Sequence, residues 1–96
     1  MKISELRDGM RRVNVVAKVL DISEPREVYS RFSGTAHRVA TATISDESGT
    51  IKLTLWNDQI DKVKVNDTVS IENGYIKSFR GEIQLNVGRY GKLSVL

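Results

Sequence analysis

The chain contains no cysteine and only one proline, one histidine and one tryptophan. Without thiols, neither a disulfide framework nor a thiolate metal site can form, which fits a reducing compartment. A lone histidine, His37, excludes a histidine metal cluster and any dyad that needs two imidazoles. The N-terminal Met1-Lys2-Ile3-Ser4-Glu5-Leu6 lacks the apolar core of a signal peptide, and no hydrophobic run is long enough to span a bilayer. A cytoplasmic location is expected, nucleoid-associated if the source is prokaryotic, with no membrane partner. The carboxylates Asp46, Glu47, Asp58 and Asp61 are scattered, with neither EF-hand spacing nor a paired acid/base arrangement. Ser48-Gly49 and Phe79-Arg80-Gly81 read as turns, not as a phosphate-cradling loop. No catalytic residue, metal or cofactor is expected, and the chain does not read as an enzyme.

What is present suits one small folded domain, residues 1–96. Of its 96 residues, 40% are hydrophobic and 28% charged, a balance of soluble globular chains rather than disordered ones. The net charge of +3 permits a polyanionic partner without requiring one, so the placement of the charges matters more than their sum.

Strand signals dominate. Val13 to Ile22 is rich in valine and follows a turn ending at Asp8-Gly9. Glu24 to Thr35 is polar, holds Pro25 and reads as a long loop. His37 to Ile44 and Ile51 to Trp56 flank the turn cluster Asp46-Glu47-Ser48-Gly49. Asn57 to Val63 is the one helical candidate, with Asn57 or Asp58 as cap and Ile60 and Val63 facing inward. Thr68 to Phe79 is interrupted by Asn73-Gly74, either a hairpin or a bulge in one long strand. The bulge is preferred, because Phe79-Arg80-Gly81-Glu82 makes the better reversal before Ile83 to Val87. A last short strand runs from Lys92 to Leu96.

Successive side chains of a strand point to opposite faces. In Ile51 to Trp56 the aliphatic residues occupy the odd positions, so Trp56 shares the even face with Lys52 and Thr54. Pairing Ile44 with Ile51 adds Val39, Thr41 and Thr43 to that face and leaves Arg38 pointing away. In the next pair of strands Tyr75, Lys77 and Phe79 share a face. Pairing Phe79 with Glu82 sets Gln84 opposite Lys77 and Asn86 opposite Tyr75. Rings beside cations on an open sheet face are the makings of a stacking surface for unpaired bases.

The element order predicts an all-β fold: a five-stranded Greek-key OB-fold barrel with one short helix between strands 3 and 4. A small SH3-like barrel is the alternative, and the helix argues against it.

The chain closely resembles the short, single-OB single-stranded DNA-binding proteins of archaea and their eukaryotic relatives. The resemblance is carried by Leu6-Arg7-Asp8-Gly9-Met10 before Val13-Asn14-Val15, by His37-Arg38-Val39-Ala40 and by Asp46-Glu47-Ser48-Gly49-Thr50. It continues through Leu53-Thr54-Leu55-Trp56, Ile71-Glu72-Asn73-Gly74-Tyr75 and Gln84-Leu85-Asn86-Val87-Gly88, so it runs from about Ile3 to Val95. It implies base stacking on Trp56, Tyr75 and Phe79, and a role protecting single strands in replication, recombination and repair. Many members carry a flexible tail for protein partners. This sequence ends at Leu96, so tail-mediated recruitment is not carried over.

The expected function is therefore sequence-tolerant binding of single-stranded DNA. Lys52, Thr54, Lys77, Arg80, Gln84 and Asn86 are expected to contact backbone or base edges. Arg26, Tyr29, Arg31, Phe32 and Arg89 are candidate contacts from loops or strand ends, and Tyr90 is read as structural. Replication or repair proteins are candidate partners, and the isolated chain is expected to be a monomer. Two alternatives stand beside this reading: an OB module for single-stranded RNA or tRNA, and an OB-fold protein-interaction subunit whose rings anchor a partner.

Overall fold

The strand pattern is realised over most of the chain in the computed structural model, which describes residues 1–29, 34–88 and 90–96. The first long strand, β1 (Arg11–Ile22), buries Val13, Val15, Ala17 and Val19 and exposes the residues between them. β-Branched valine at alternate positions suits a pleated surface with one wet face. β3 (Ala36–Asp46) buries Ala40, Ala42 and Ile44, and β4 (Gly49–Trp56) buries Ile51, Leu53 and Leu55. These two strands pair as the turn cluster predicts, with Ile44 opposite Ile51 and Val39 opposite Trp56. Leu53, Leu55, Ile71 and Leu85 are wholly buried. Each such side chain contributes about 1.5–3 kcal/mol through burial.

Asn73-Gly74 is a bend within a single strand, β5 (Thr68–Phe79), and not a hairpin. Asn73 adopts φ 55°, and the register against β1 slips there, as a bulge requires. Gly74 has no alternative: a Cβ at this position would meet the Asn86 carbonyl oxygen at 2.9 Å. The bend lets the first half of β5 pair with β1 while the second half pairs with β6 (Glu82–Asn86). Arg80 and Gly81, both left-handed, close the tight turn between β5 and β6.

Around the barrel the order is β1, β3, β4, β6, β5 and back to β1, with β4 and β6 parallel. These are the five strands expected. The helix α1 (Asp58–Lys62) falls between the third and fourth of them and buries Ile60, with Val63 just beyond it. A final strand, β7 (Lys92–Val95), adds to the first half of β5.

Two expectations are corrected. The segment expected to be a loop contains a strand, β2 (Arg26–Tyr29), which pairs with β3 from Arg26–Val39 to Tyr29–Ala36. Its alternation Arg-Glu-Val-Tyr is short and polar, and Pro25 sits just before the first paired residue, where it costs no ladder bond. The helix is capped by neither candidate side chain. Asn57, at φ 49°, turns its amide to β3 instead: its Oδ1 accepts the Arg38 amide at 2.9 Å and its Nδ2 meets His37 Nδ1 at 3.2 Å.

The far end of the barrel is tied by Asp46. Its carboxylate accepts the Ser48 hydroxyl at 2.6 Å and the amides of Ser48, Gly49 and Ile3 at 2.7, 3.1 and 2.9 Å. The Ser48 hydroxyl and then the Ile3 amide hold its carboxyl down at about 2.

Candidate nucleic-acid interface

Side-chain parity and cross-strand register build this face. The register rows Val39–Trp56 and Thr41–Thr54 on β3 and β4 continue into Thr54–Asn86 between β4 and β6. From there Lys77–Gln84 and Phe79–Glu82 carry the face onto β5. All of these side chains but Glu82 line one groove of about 340 Å³, which holds both Trp56 and Phe79. Its lining is mixed: Val28 and Val39 are apolar, while Thr41, Thr54, Gln84 and Asn86 are polar. Thr54 Oγ1 reaches Gln84 Oε1 at 3.4 Å, a long contact that leaves most of both groups' capacity open.

The rings are available. Trp56 is 41% exposed and Phe79 56% exposed, although both lie at the ends of well-paired strands. Trp56 is held at its backbone, where its amide donates to Gln59 Oε1 at 3.0 Å. The next amide, of Asn57, donates to the Arg38 carbonyl at 2.9 Å, so the end of β4 cannot fray easily. Arg80 places its guanidinium 5.2 Å from the centre of the Phe79 ring. At an exposed site such a cation–π contact contributes about 0.5–1 kcal/mol.

Among the described residues, two cations line the groove, Arg26 and Lys77, and no carboxylate does; Glu82, opposite Phe79, is not part of its lining. Arg26 reaches it because β2 is a strand: Arg26 pairs with Val39, and Val28 follows on the same face. The alternation that brings Arg26 in turns Tyr29 away. Tyr29 lies on the other face, 68% exposed, and donates its hydroxyl to Glu27 Oε2 at 3.1 Å. That bond and the Glu27 charge raise its phenol above the usual range. Tyr29 is therefore not brought to the groove.

Tyr75 stands one step along. It shares a register row with Asn86, but it lines a neighbouring depression rather than the groove. Its ring rests over Gly88, where a Cβ would sit 3.2 Å from two ring carbons. Lys52 and Arg80 do not line the groove either. Lys52 shares the face but donates its ammonium to Thr43 Oγ1 at 2.8 Å, beyond Thr54. Arg38 points away, as its parity predicts, into an ion pair with Asp61 at 2.7 Å. That pairing lowers the Asp61 carboxyl and raises the Arg38 guanidinium. Arg31, Phe32 and Arg89 lie outside the described residues. Among those described, no group of three or more His, Asp or Glu side chains can hold a metal ion, and no helix is long and apolar enough to cross a membrane.

A family model described as single-stranded DNA binding protein Ssb-like, OB fold, matches residues 6–95. The chain belongs to this family. This Ssb-like chain is 34% identical over 93 residues to the single-stranded DNA binding protein Ssb of Saccharolobus solfataricus, a match covering 97% of the chain and 62% of that relative. It is 35% identical over 98 residues to Replication factor A of Methanothermobacter thermautotrophicus, covering 96% of the chain and 12% of the larger protein. The Ssb-like chain thus spans less than two thirds of either relative. Among solved structures, the replication factor A related protein from Methanobacterium thermoautotrophicum superposes with a TM-score of 0.82 at 25% identity, covering all of this chain and 89% of the other. A replication protein A heterotrimer bound to single-stranded DNA shares the fold at TM-score 0.77 and 18% identity, with 24% of that chain covered. The all-β OB barrel expected for the Ssb-like chain is borne out.

Groove residues that sequence reasoning missed are few. Val28 was hidden in the supposed loop, and the Arg26-Glu27-Val28-Tyr29 alternation was the signal that could have found it. Arg11 and Arg12, which line the neighbouring depression beside Tyr75 and not the groove, precede Val13, where the sequence marks the start of the strand.

Proposed function

We propose that this chain binds single-stranded DNA without reading its sequence, its bases stacking on Trp56 and Phe79 across the groove and on Tyr75 beyond it. The observation that carries the reading is the groove itself: among the described residues, two exposed rings and two cations line one space that no carboxylate lines. Membership of the Ssb-like family and the names of the two relatives support it. Arg26 and Lys77 meet phosphates, which confers affinity but no sequence information. Thr54, Gln84 and Asn86 offer hydrogen bonds to base edges. Lys52 and Arg80 act from the rim, Lys52 after releasing Thr43 and Arg80 from its seat on Phe79.

Magnitudes require both kinds of contact. A stacked base is worth about 1–3 kcal/mol, so three rings supply roughly 3–9 kcal/mol before ordering costs. A micromolar complex needs about 8.2 kcal/mol. Stacking alone falls short once those costs are subtracted, and the two groove cations supply the remainder. With so few cations the salt dependence is shallow, at about 0.7 in slope for each phosphate neutralised on a single strand. The protein acts as a monomeric, non-enzymatic cover for exposed strands in a cytoplasmic setting, during replication, recombination and repair.

The test follows the fluorescence of Trp56, the sole tryptophan, during titration with oligo-dT, with a duplex of equal length and a matched RNA as controls. Saturable quenching by the DNA strand, weaker with RNA and absent with duplex, is the expected result. Equal response to RNA would broaden the ligand to either single strand. No quenching and no mobility shift would overturn the reading and favour the rings as anchors for a protein.

A further inference from the structure

We propose that the bound strand continues past the base on Tyr75 onto a second subsite at a bulge in β1, where Arg11 and Arg12 hold its phosphates and Tyr90 receives a further base. The inference rests on the groove being a single-strand site, and it extends that site.

Four residues on four adjacent strands form one row across the barrel. Thr54 on β4 pairs with Asn86 on β6, Asn86 with Tyr75 on β5, and Tyr75 with Arg11 on β1. Neighbouring strands lie about 4.8 Å apart, so the row carries the open face roughly 14 Å from the groove floor to β1. Thr54 and Asn86 line the groove, while Tyr75 and Arg11 line a separate depression of about 480 Å³ together with Arg12 and Tyr90. The two hollows thus abut along one row. A strand leaving the groove over Asn86 meets Tyr75 next.

The β1 backbone explains how two consecutive arginines serve one hollow. In a regular strand Arg11 and Arg12 would point to opposite faces. Here Arg12 is left-handed, at φ 55°, and the register jumps from Arg11–Tyr75 to Val13–Gly74, so Arg12 is the extra residue of a bulge. Bulges re-aim side chains, and a left-handed arginine is a conformation that needs a reason. Both arginines are exposed, and neither makes an ion pair among the described residues. Two unpaired guanidinium groups beside two rings have the donor geometry for a phosphate and the flat faces for a base. Tyr90 is 82% exposed, and its carbonyl is tethered by Asn73 Nδ2 at 3.4 Å, which keeps it at the rim. Gly88, bare beneath Tyr75, lets that ring lie low between the two hollows.

A length series tests this. Affinity is measured for dT strands of about 4 and about 16 nucleotides, the limits for one OB fold. The protein is compared with its Arg11→Gln/Arg12→Asn variant, in which asparagine tolerates the left-handed site. The variant is expected to bind the long strand about tenfold more weakly, with a salt slope shallower by about 1.4, as for two lost phosphates on a single strand. The short strand should change less than about twofold, because it fits within the groove. Equal losses at both lengths would mean only general attraction and would overturn the second subsite, as would no loss at either. Tyr90→Ala, a change at an exposed rim, gives an independent arm: about fivefold weaker binding of the long strand alone supports the subsite, and no change counts against it. If the unaltered protein binds neither length, the groove reading itself fails. Binding of both lengths with no length-selective loss sinks only the extension.

Discussion

A larger depression elsewhere on the barrel and the proposed groove are built from opposite materials. The larger, about 910 Å³, lies against Met1, Lys2, Asn14 and Val16 and is edged by Asp46, Glu47 and Glu72. The groove is little more than a third of that size, yet among the described residues it holds Trp56 and Phe79 with Arg26 and Lys77 and no carboxylate. Size favours the first and chemistry the second. A polyanion with flat bases is repelled by three carboxylates and finds no ring there, so chemistry decides. The difference also has a structural cause. Asp46 is spent on holding the barrel end together, through Ile3, Ser48 and Gly49, whereas the groove's Trp56 and Phe79 side chains are left exposed.

Removing the rings should break this contrast most severely. Trp56→Ala and Phe79→Ala are each expected to weaken binding of a single strand by about 1–3 kcal/mol, roughly 5-fold to 150-fold. Thermal stability should hardly change, since both side chains are exposed; a loss of binding that only tracked unfolding would defeat the stacking assignment. A smaller effect is expected from Arg26→Gln combined with Lys77→Gln. The salt slope should become shallower by about 1.4, the amount for two single-strand phosphate contacts. An unchanged slope would remove both residues from the phosphate path. Smaller again is the expected change from Glu47→Gln with Glu72→Gln in the larger depression: affinity within about twofold, the general effect of two negative charges removed. A strong, ring-dependent gain there would show that the wrong hollow has been chosen.

The last prediction leaves DNA binding untouched. Asp46 titrates at about 2 in the fold against an ordinary 3.8, so the unfolded chain binds more protons between those values. Its contribution to stability is fully present above 3.8 and is lost as pH falls towards about 2. Melting curves over that interval should flatten in Asp46→Asn, while strand affinity at neutral pH stays the same. Superimposable pH profiles for the two proteins would rule out the Asp46 bonds as a source of acid sensitivity.

Much of the barrel was legible because its strands are regular. The Ile44–Ile51 and Phe79–Glu82 pairings follow from turn chemistry and parity, and both are observed. Parity also predicted that Arg38 would turn away, and the structure finds it on Asp61. Errors came where regularity fails or is too brief to register. Four residues of β2, polar and beside Pro25, look like loop until β3 supplies their partner. Asn57 resembles a helix cap in sequence, but the nearby amide of Arg38 is the donor it satisfies.

The sequence by itself determined the faces: which residues of each strand are buried, and that Trp56, Tyr75 and Phe79 stand outside with lysines and amides. Period-two alternation is a local property, and it needs no knowledge of what lies across the sheet. Only the tertiary structure decided which outward residues share a space. It joined Arg26 to Trp56, withdrew Lys52 onto Thr43, separated Tyr75 from the groove and set Arg11 and Arg12 beside it. Those outcomes depend on strand closure, on the left-handed residues at Arg12 and Asn73, and on partners far away in the chain. A left-handed residue other than glycine is held in place by its surroundings, and those surroundings exist only once the barrel has closed.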